Sequence, residues 1–253
     1  MKKIQVNDIT LAYERFGSGA PLMLIHGFPL DHTIWDRASD LLKNDFDLIL
    51  PDLRGFGQST TVETSYTMTD MADDLAGLLD HLGLEKAALA GHSMGGYVAL
   101  AFAKKYPHRV SGLGLVASQA AADTPDRKAN RYKDADAVVQ KGVGLIADGM
   151  TPKLSADAGV QTYVHSLMER QTPSAVMGAL KAMAEREDQL FHLSSVSFPV
   201  VLIHGDTDAL IPVERAREIK AVLPSARLVE LLDTGHMPMM ESPKGTAESL
   251  KLL

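Results

Sequence analysis

Ala87-Ala88-Leu89-Ala90-Gly91-His92-Ser93-Met94-Gly95-Gly96, running on into Tyr97-Val98-Ala99-Leu100-Ala101-Phe102-Ala103, is the stretch on which the fold turns. Residues 87–90 form a short continuous apolar run, as expected of a strand buried on both faces. Val98, Ala99, Phe102 and Ala103 follow at helical spacing until Pro107 stops them. Between strand and helix lies a turn containing Gly-x-Ser-x-Gly. A serine hydroxyl is a poor nucleophile and must reach both a base and a carbonyl. A sharp strand-to-helix turn lifts it above the sheet edge in a strained conformation. Gly91 and Gly95 leave room for close backbone approach on either side, and the helix start favours developing negative charge. The five-residue pattern alone recurs by chance, and a small-residue turn without catalysis is the competing reading. The flanking strand and helix give Ser93 its weight as a nucleophile.

The same rhythm extends in both directions. Residues 4–6 and 10–16 read as a hairpin around Asn7-Asp8. Residues 21–25, 46–50, 113–117, 200–203 and 228–232 are further short apolar runs of strand length. Met71, Leu75, Leu78 and Leu82 share one helical face, with Thr67 or Thr69 as cap and Gly83 as terminator. Residues 214–223 form another helix, ended near Pro224. Strands alternating with helices predict an α/β fold, with a mostly parallel sheet covered by helices on both faces and right-handed crossovers. Residues 118–190 break the rhythm. They have helical composition without a clear strand and read as a helical cap inserted into a core of residues 1–117 and 191–253. The plainer alternative is surface helices of the core itself.

Composition excludes several classes. The chain has 253 residues, a length that suits one such domain, and no cysteine, so disulfides and thiolate chemistry are out. Lys plus Arg is 25 against 32 Asp plus Glu, a formal charge of −7 that disfavours nucleic acid as a partner. Met1-Lys2-Lys3-Ile4-Gln5-Val6 lacks an apolar signal core, and no apolar stretch is long enough to span a bilayer. The expectation is a soluble cytoplasmic protein without a membrane partner. No Gly-x-Gly-x-x-Gly follows a strand and no paired-histidine spacing stands out, so neither a cofactor nor a metal is expected.

Two further segments carry chemistry. His204-Gly205-Asp206-Thr207-Asp208 lies at the carboxyl end of strand 200–203, where α/β folds put functional residues, and either aspartate could serve as an acid. His236 follows strand 228–232 after Asp233-Thr234-Gly235 and suits a general base. His26, His92 and His204 also sit near strand ends and read as loop hydrogen-bond donors.

Four motifs together resemble the α/β-hydrolase superfamily, and within it the small cap-bearing carboxylesterases and 3-oxoadipate enol-lactonase-like hydrolases. They are His26-Gly27-Phe28-Pro29; Pro51-Asp52-Leu53-Arg54-Gly55-Phe56-Gly57-Gln58-Ser59; Gly91-His92-Ser93-Met94-Gly95-Gly96; and Gly205-Asp206-Thr207-Asp208 with Gly235-His236. The order serine, acid, histidine is the order of this fold. The resemblance implies a triad of Ser93, Asp208 and His236, with Asp206 shaping its loop. It implies an oxyanion hole from the backbone N–H groups of Phe28 and Met94, and a structural role for Asp52, Arg54 and Ser59. It also implies hydrolysis of a small carboxylic ester or lactone through an acyl-enzyme, without cofactor. Phe28, Met94, Leu210 and Met237 are expected to face an apolar pocket. No basic cluster stands out to fix a charged substrate, although Arg131 or Arg170 could supply one charge. Met150, Met168, Met177 and Met183 suit a permissive cap lining, or its core. The serine at the elbow argues against the aspartate-using dehalogenases and epoxide hydrolases of this fold. Perhydrolase activity, carbon–carbon bond hydrolysis and a receptor built on the scaffold are the remaining alternatives.

Overall fold

The computed structural model describes residues 1–62 and 65–253. The expected hairpin is present: β1 (Lys2–Val6) and β2 (Ile9–Gly17) pair antiparallel, and Asn7 takes the left-handed turn position at φ 47°. β2 also pairs antiparallel with β4 (Phe46–Pro51). The remaining pairings are parallel and join β3 (Ala20–Ile25), β5 (Ala87–His92), β6 (Val110–Val116), β7 (Val200–Gly205) and β8 (Arg227–Leu231). The eight strands lie in the order β1-β2-β4-β3-β5-β6-β7-β8. β6 starts at Val110, earlier than the apolar run suggests, because Ser111 and Gly112 interrupt the run; the pairing with β5 shifts register across Ser111, from Ala87 opposite Val110 to Ala88 opposite Gly112. β8 ends at Leu231, and Leu232 beyond it is 80% exposed.

Alternation along the central strands explains why both faces are covered. Leu22 and Leu24 of β3 join one core cluster, while Met23 and Ile25 join the other. Helices α1 (Asp36–Leu42), α2 (Met68–His81) and α3 (Met94–Lys105) alternate with the first strands. Helices α4 (Pro125–Lys141), α5 (Gly144–Leu154), α6 (Ala158–Glu169), α7 (Pro173–Ala184) and the short α8 (Leu190–Leu193) all lie between β6 and β7. The chain ends with α9 (Glu214–Val222), α10 (Pro238–Glu241) and α11 (Pro243–Leu250). α2, α3 and α9 bury their apolar stripes with Met23 and Ile25; α1 and α11 bury theirs with Leu22 and Leu24. Thr67 caps α2 in a capping box with Asp70, and Gly83 follows its end at φ +67°. Among the described residues, no helix is long and apolar enough to cross a membrane.

The loop after β4 is held by its own polar side chains. One Asp52 oxygen accepts from the N–H and Nδ1 of His32 at 3.0 and 2.7 Å; the other accepts from the Gln58 N–H at 2.8 Å. Ser59 Oγ donates to the Asp52 carbonyl and accepts from the Ala12 N–H. Arg54 makes a two-pronged pair with Asp74 on α2, at 2.7 and 2.8 Å, with both side chains buried. His32 and Asp74 lie outside the motif, so this partnership could not be read from its spacing.

Removing one member of a buried pair leaves the other charge without its partner, at a cost of about 3–5 kcal/mol. Arg54→Ala is therefore expected to lower the unfolding free energy by about that amount, read by urea denaturation from the fluorescence of buried Trp35. A loss below about 1 kcal/mol would mean that the pair behaves like a surface ion pair.

Candidate active site

Strand order reverses between β3 and β5: the chain moves from β3 to β4 on one side and continues from β5 to β8 on the other. A crevice opens at such a reversal, beyond the carboxyl ends of the strands. The loops leading into it here are His26-Gly27-Phe28 after β3 and His92-Ser93-Met94 after β5. Ser93 sits between β5 and α3 with φ 50° and ψ −114°, a conformation side chains other than glycine rarely adopt. Three hydrogen bonds hold it there. Its N–H donates to the Val116 carbonyl at 2.9 Å, and its carbonyl accepts from the Gly96 N–H and from Ser118 Oγ. The glycines are sterically required. A Cβ at Gly91 would collide with the Gly95 carbonyl, and one at Gly95 would lie 2.5 Å from the carbonyl oxygens of Ile25 and His26.

Asp208 and His236 meet after β7 and β8. Nδ1 of His236 lies 2.7 Å from Asp208 Oδ2, and both side chains are buried. Asp208 Oδ1 accepts from the N–H groups of Leu210 and Ile211 at 2.9 Å each, and His204 Nε2 lies 3.3 Å from Oδ2. Burial alone would raise the Asp208 pKa. The neighbouring His236 charge and hydrogen bonds from His204, His236 and the Ile211 N–H more than offset burial and hold it well below the usual carboxylate range. Asp206 is exposed, and its carboxylate accepts only a long bond from the Thr234 N–H, 3.4 Å. The His236 loop is clamped by Glu241, whose two oxygens accept from the N–H groups of Gly235 and Met237 on either side of the histidine.

The other strand-end histidines make loop contacts, as expected. His26 accepts from the Leu53 N–H and donates to the Gly27 carbonyl. His204 donates to the Ile211 carbonyl. His92 donates from Nε2 to the His236 carbonyl at 2.8 Å, and its ring lies 4.9 Å from the His236 ring. Burial first, and His236 next, push the His92 pKa well below its ordinary value, so this histidine is neutral. The residue before Ser93 is thus in direct contact with His236.

A cavity of about 380 Å³ is lined by Ser93 and Phe28 from the sheet edge, by Leu210 and Ile211, and by residues of α4, α5 and α7. Two expectations fail here. Met94 and Met237 do not line the cavity and are fully buried in the two cores, Met94 as the first residue of α3 and Met237 just before α10. The wall is also not free of basic groups: Arg127, Arg131 and Lys153 line it beside a single carboxylate, Asp134. Arg127 and Arg131 come together because i, i+4 spacing on α4 puts them on one face, a signal that was present in the sequence. Arg131 Nη1 donates only to the Met183 sulfur, a weak acceptor, while its Nε pairs with buried Asp123. Arg170 lies elsewhere, exposed and near Asp31. Met150 and Met183 line the cavity, Met168 is in the core, and Met177 is half-buried against it. Among the described residues, no protein carbonyl or side chain accepts the N–H of Phe28 or Met94, so both donors are free for a ligand. No cluster of three or more potential metal ligands is found among them either.

The chain belongs to the alpha/beta hydrolase fold family, whose sequence profile matches residues 20–243. It is similar to a thermophilic esterase from Thermogutta terrifontis solved with malate bound, at 38% identity and TM-score 0.95, over 99% of this chain and 97% of that one. The enol-lactonase of Burkholderia xenovorans LB400 superposes with TM-score 0.91 over 98% of each chain; at 23% identity it speaks for the fold alone. Lipase 3 of Moraxella sp. is 28% identical over 92% of this chain and 77% of its own length. In class, then, this is an α/β hydrolase of the esterase and lipase type, as the four motifs imply.

The depressed Asp208 pKa has a stability consequence. Such a group stabilises the fold above its unfolded pKa of about 3.9, and the contribution is lost as pH falls from there through the folded value. The stability gap between wild type and Asp208→Asn is expected to be full at pH 6 and to shrink steadily below about pH 4. Urea midpoints at several pH values read this directly, and a gap that widens towards low pH would contradict it.

Proposed function

We propose that this protein is a serine carboxylesterase that cleaves small carboxylic esters through an acyl-enzyme on Ser93. The observation that carries the reading is the strained Ser93 turn at the strand-order reversal, opening on a cavity beside the buried Asp208–His236 pair. In this reading His236 takes the Ser93 proton through Nε2 as Oγ attacks the carbonyl carbon. Asp208 fixes the tautomer, with the proton on Nδ1, and stabilises the imidazolium. The oxyanion sits between the N–H groups of Phe28 and Met94, an arrangement in which one donor is worth about 2.7–4 kcal/mol of activation free energy. His236 then protonates the leaving alcohol, and water attacks the acyl-enzyme by the same route in reverse. Residues 118–190, with α4 to α7, act as a cap that encloses the small-molecule substrate. Of the residues expected to face the pocket, Phe28 and Leu210 line the cavity.

The second reading is an ester or lactone carrying its own carboxylate. Arg127, Arg131 and Lys153 on the cavity wall favour it, since a guanidinium facing a thioether has donor capacity left for an anion. The Thermogutta terrifontis esterase was solved with malate, which is a dicarboxylate.

An organophosphate or sulfonyl fluoride is expected to label Ser93 covalently; mass spectrometry that finds the adduct elsewhere, or none, would sink the nucleophile. Asp208→Asn should lower kcat by roughly 10⁴ for a relay acid of this kind, whereas Asp206→Asn should change it little. The reverse ranking would move the acid to Asp206.

A panel of p-nitrophenyl esters from acetate to palmitate, run beside neutral and acidic lactones, tests the substrate class. The highest kcat/KM is expected on acetate or butyrate. A peak on long chains would indicate a lipase, and a strong preference for an acidic lactone would establish the second reading. Turnover that survives in Ser93→Ala would refute both.

A further inference from the structure

Tyr97 lies one turn beyond Ser93 on α3 and is almost fully buried. It lines the cavity that holds Ser93, and from its other side it lines a second cavity of about 430 Å³. Among the described residues it is the single side chain common to both linings. The second cavity takes apolar surface from Met68, Leu100, Ala101, Ala120 and Ala182, and polar or charged surface from threonines, Gln119 and Gln189 and the Lys104, Glu185, Arg186 and Glu187 side chains around it. Nothing in the proposed ester cleavage uses it.

The tyrosine ring is held as a fixed wall. The Arg186 guanidinium stacks on it with its carbon 4.3 Å from the ring centre, and Gln119 donates to the hydroxyl at 3.3 Å. Arg186 is anchored independently of the ring. It donates to the carbonyls of Met183 and Ala121 at 2.8 and 3.0 Å and pairs with Asp123 at 2.8 Å. Asp123 also takes Arg131 of the Ser93 cavity, so the partition and the cationic wall share one buried anchor. None of these contacts involves the tyrosine ring.

We propose that Tyr97 is the specificity-determining partition that limits substrate length: it closes the Ser93 cavity towards an apolar compartment able to take an alkyl chain. The inference rests on the ester-hydrolase reading and deepens it. With the ring in place, a chain longer than the Ser93 cavity meets Tyr97. Without it, added methylenes run into the second cavity and gain burial there.

The test measures kcat/KM for p-nitrophenyl butyrate, octanoate and palmitate in wild type and variants. Wild type is expected to favour butyrate. Tyr97→Ala should raise the octanoate-to-butyrate ratio by at least roughly tenfold, within the range that single methylenes produce in apolar pockets. Tyr97→Phe keeps the ring and should keep the wild-type ratio. Adding Ala101→Trp to Tyr97→Ala refills the second compartment and should cancel the gain. If Tyr97→Ala does not fold, Tyr97→Leu removes the ring with an apolar branch retained and carries the same expectation. An unchanged ratio in a folded variant that still labels at Ser93 would overturn the proposal, as would a wild-type profile already rising to palmitate. Absence of wild-type turnover at every length, with no label on Ser93, would instead defeat the esterase reading.

Discussion

The left-handed backbone at Ser93 is the constraint around which the carboxyl edge of the sheet is arranged. A residue with a side chain in that region costs on the order of 1–3 kcal/mol and persists only where its surroundings over-determine it. Here they do. The end of β6 supplies the Val116 carbonyl, the chain just beyond it the Ser118 hydroxyl, and α3 the Gly96 N–H. The helix start also passes so close to β3 that Gly95 nearly touches the carbonyls of Ile25 and His26. Strain at one residue and tight packing of α3 on β3 are thus two sides of one arrangement.

Electrostatics at this edge follows from burial and donors. Asp208 stays ionised inside the protein because several donors converge on two oxygens, and Glu241 fixes the histidine loop through backbone N–H groups. His92, its ring tilted against that of His236, is neutral and adds no competing charge. The distribution of charge over the whole chain is less uniform than its net value of −7 suggests, since Arg127, Arg131 and Lys153 line the Ser93 cavity with Asp134, and Asp123 pairs with both arginines from outside that lining. Net charge argues about solubility and non-specific partners; the field inside a cleft is set by the few groups that line it.

The core fold was legible because it is written in local periodicity. Strands β3, β4, β5 and β7 are continuous apolar runs since both of their faces are buried, and the stripe on α2 follows directly from 3.6-residue spacing. Ser93, Asp208 and His236 stood out in the sequence for a related reason: each stands in a loop after a strand, where α/β folds place functional groups, and the structure brings Asp208 and His236 into contact. Met237 misled for the opposite reason. It follows the histidine in sequence, but α10 turns its side chain into the core among the residues packed on Leu22 and Leu24.

By itself, the sequence determined the alternation of strands and helices, the turn at Ser93 and the chain order of serine, acid and histidine, because each depends on neighbours a few residues apart. Tertiary structure alone decided that Asp208 rather than Asp206 meets His236, since that depends on where two loops 28 residues apart converge. It likewise decided that Arg54 pairs with Asp74, that Arg127, Arg131 and Lys153 share a cavity with Ser93, and that Tyr97 stands between two compartments. Those facts arise from contacts between distant segments, which leave no period in the chain.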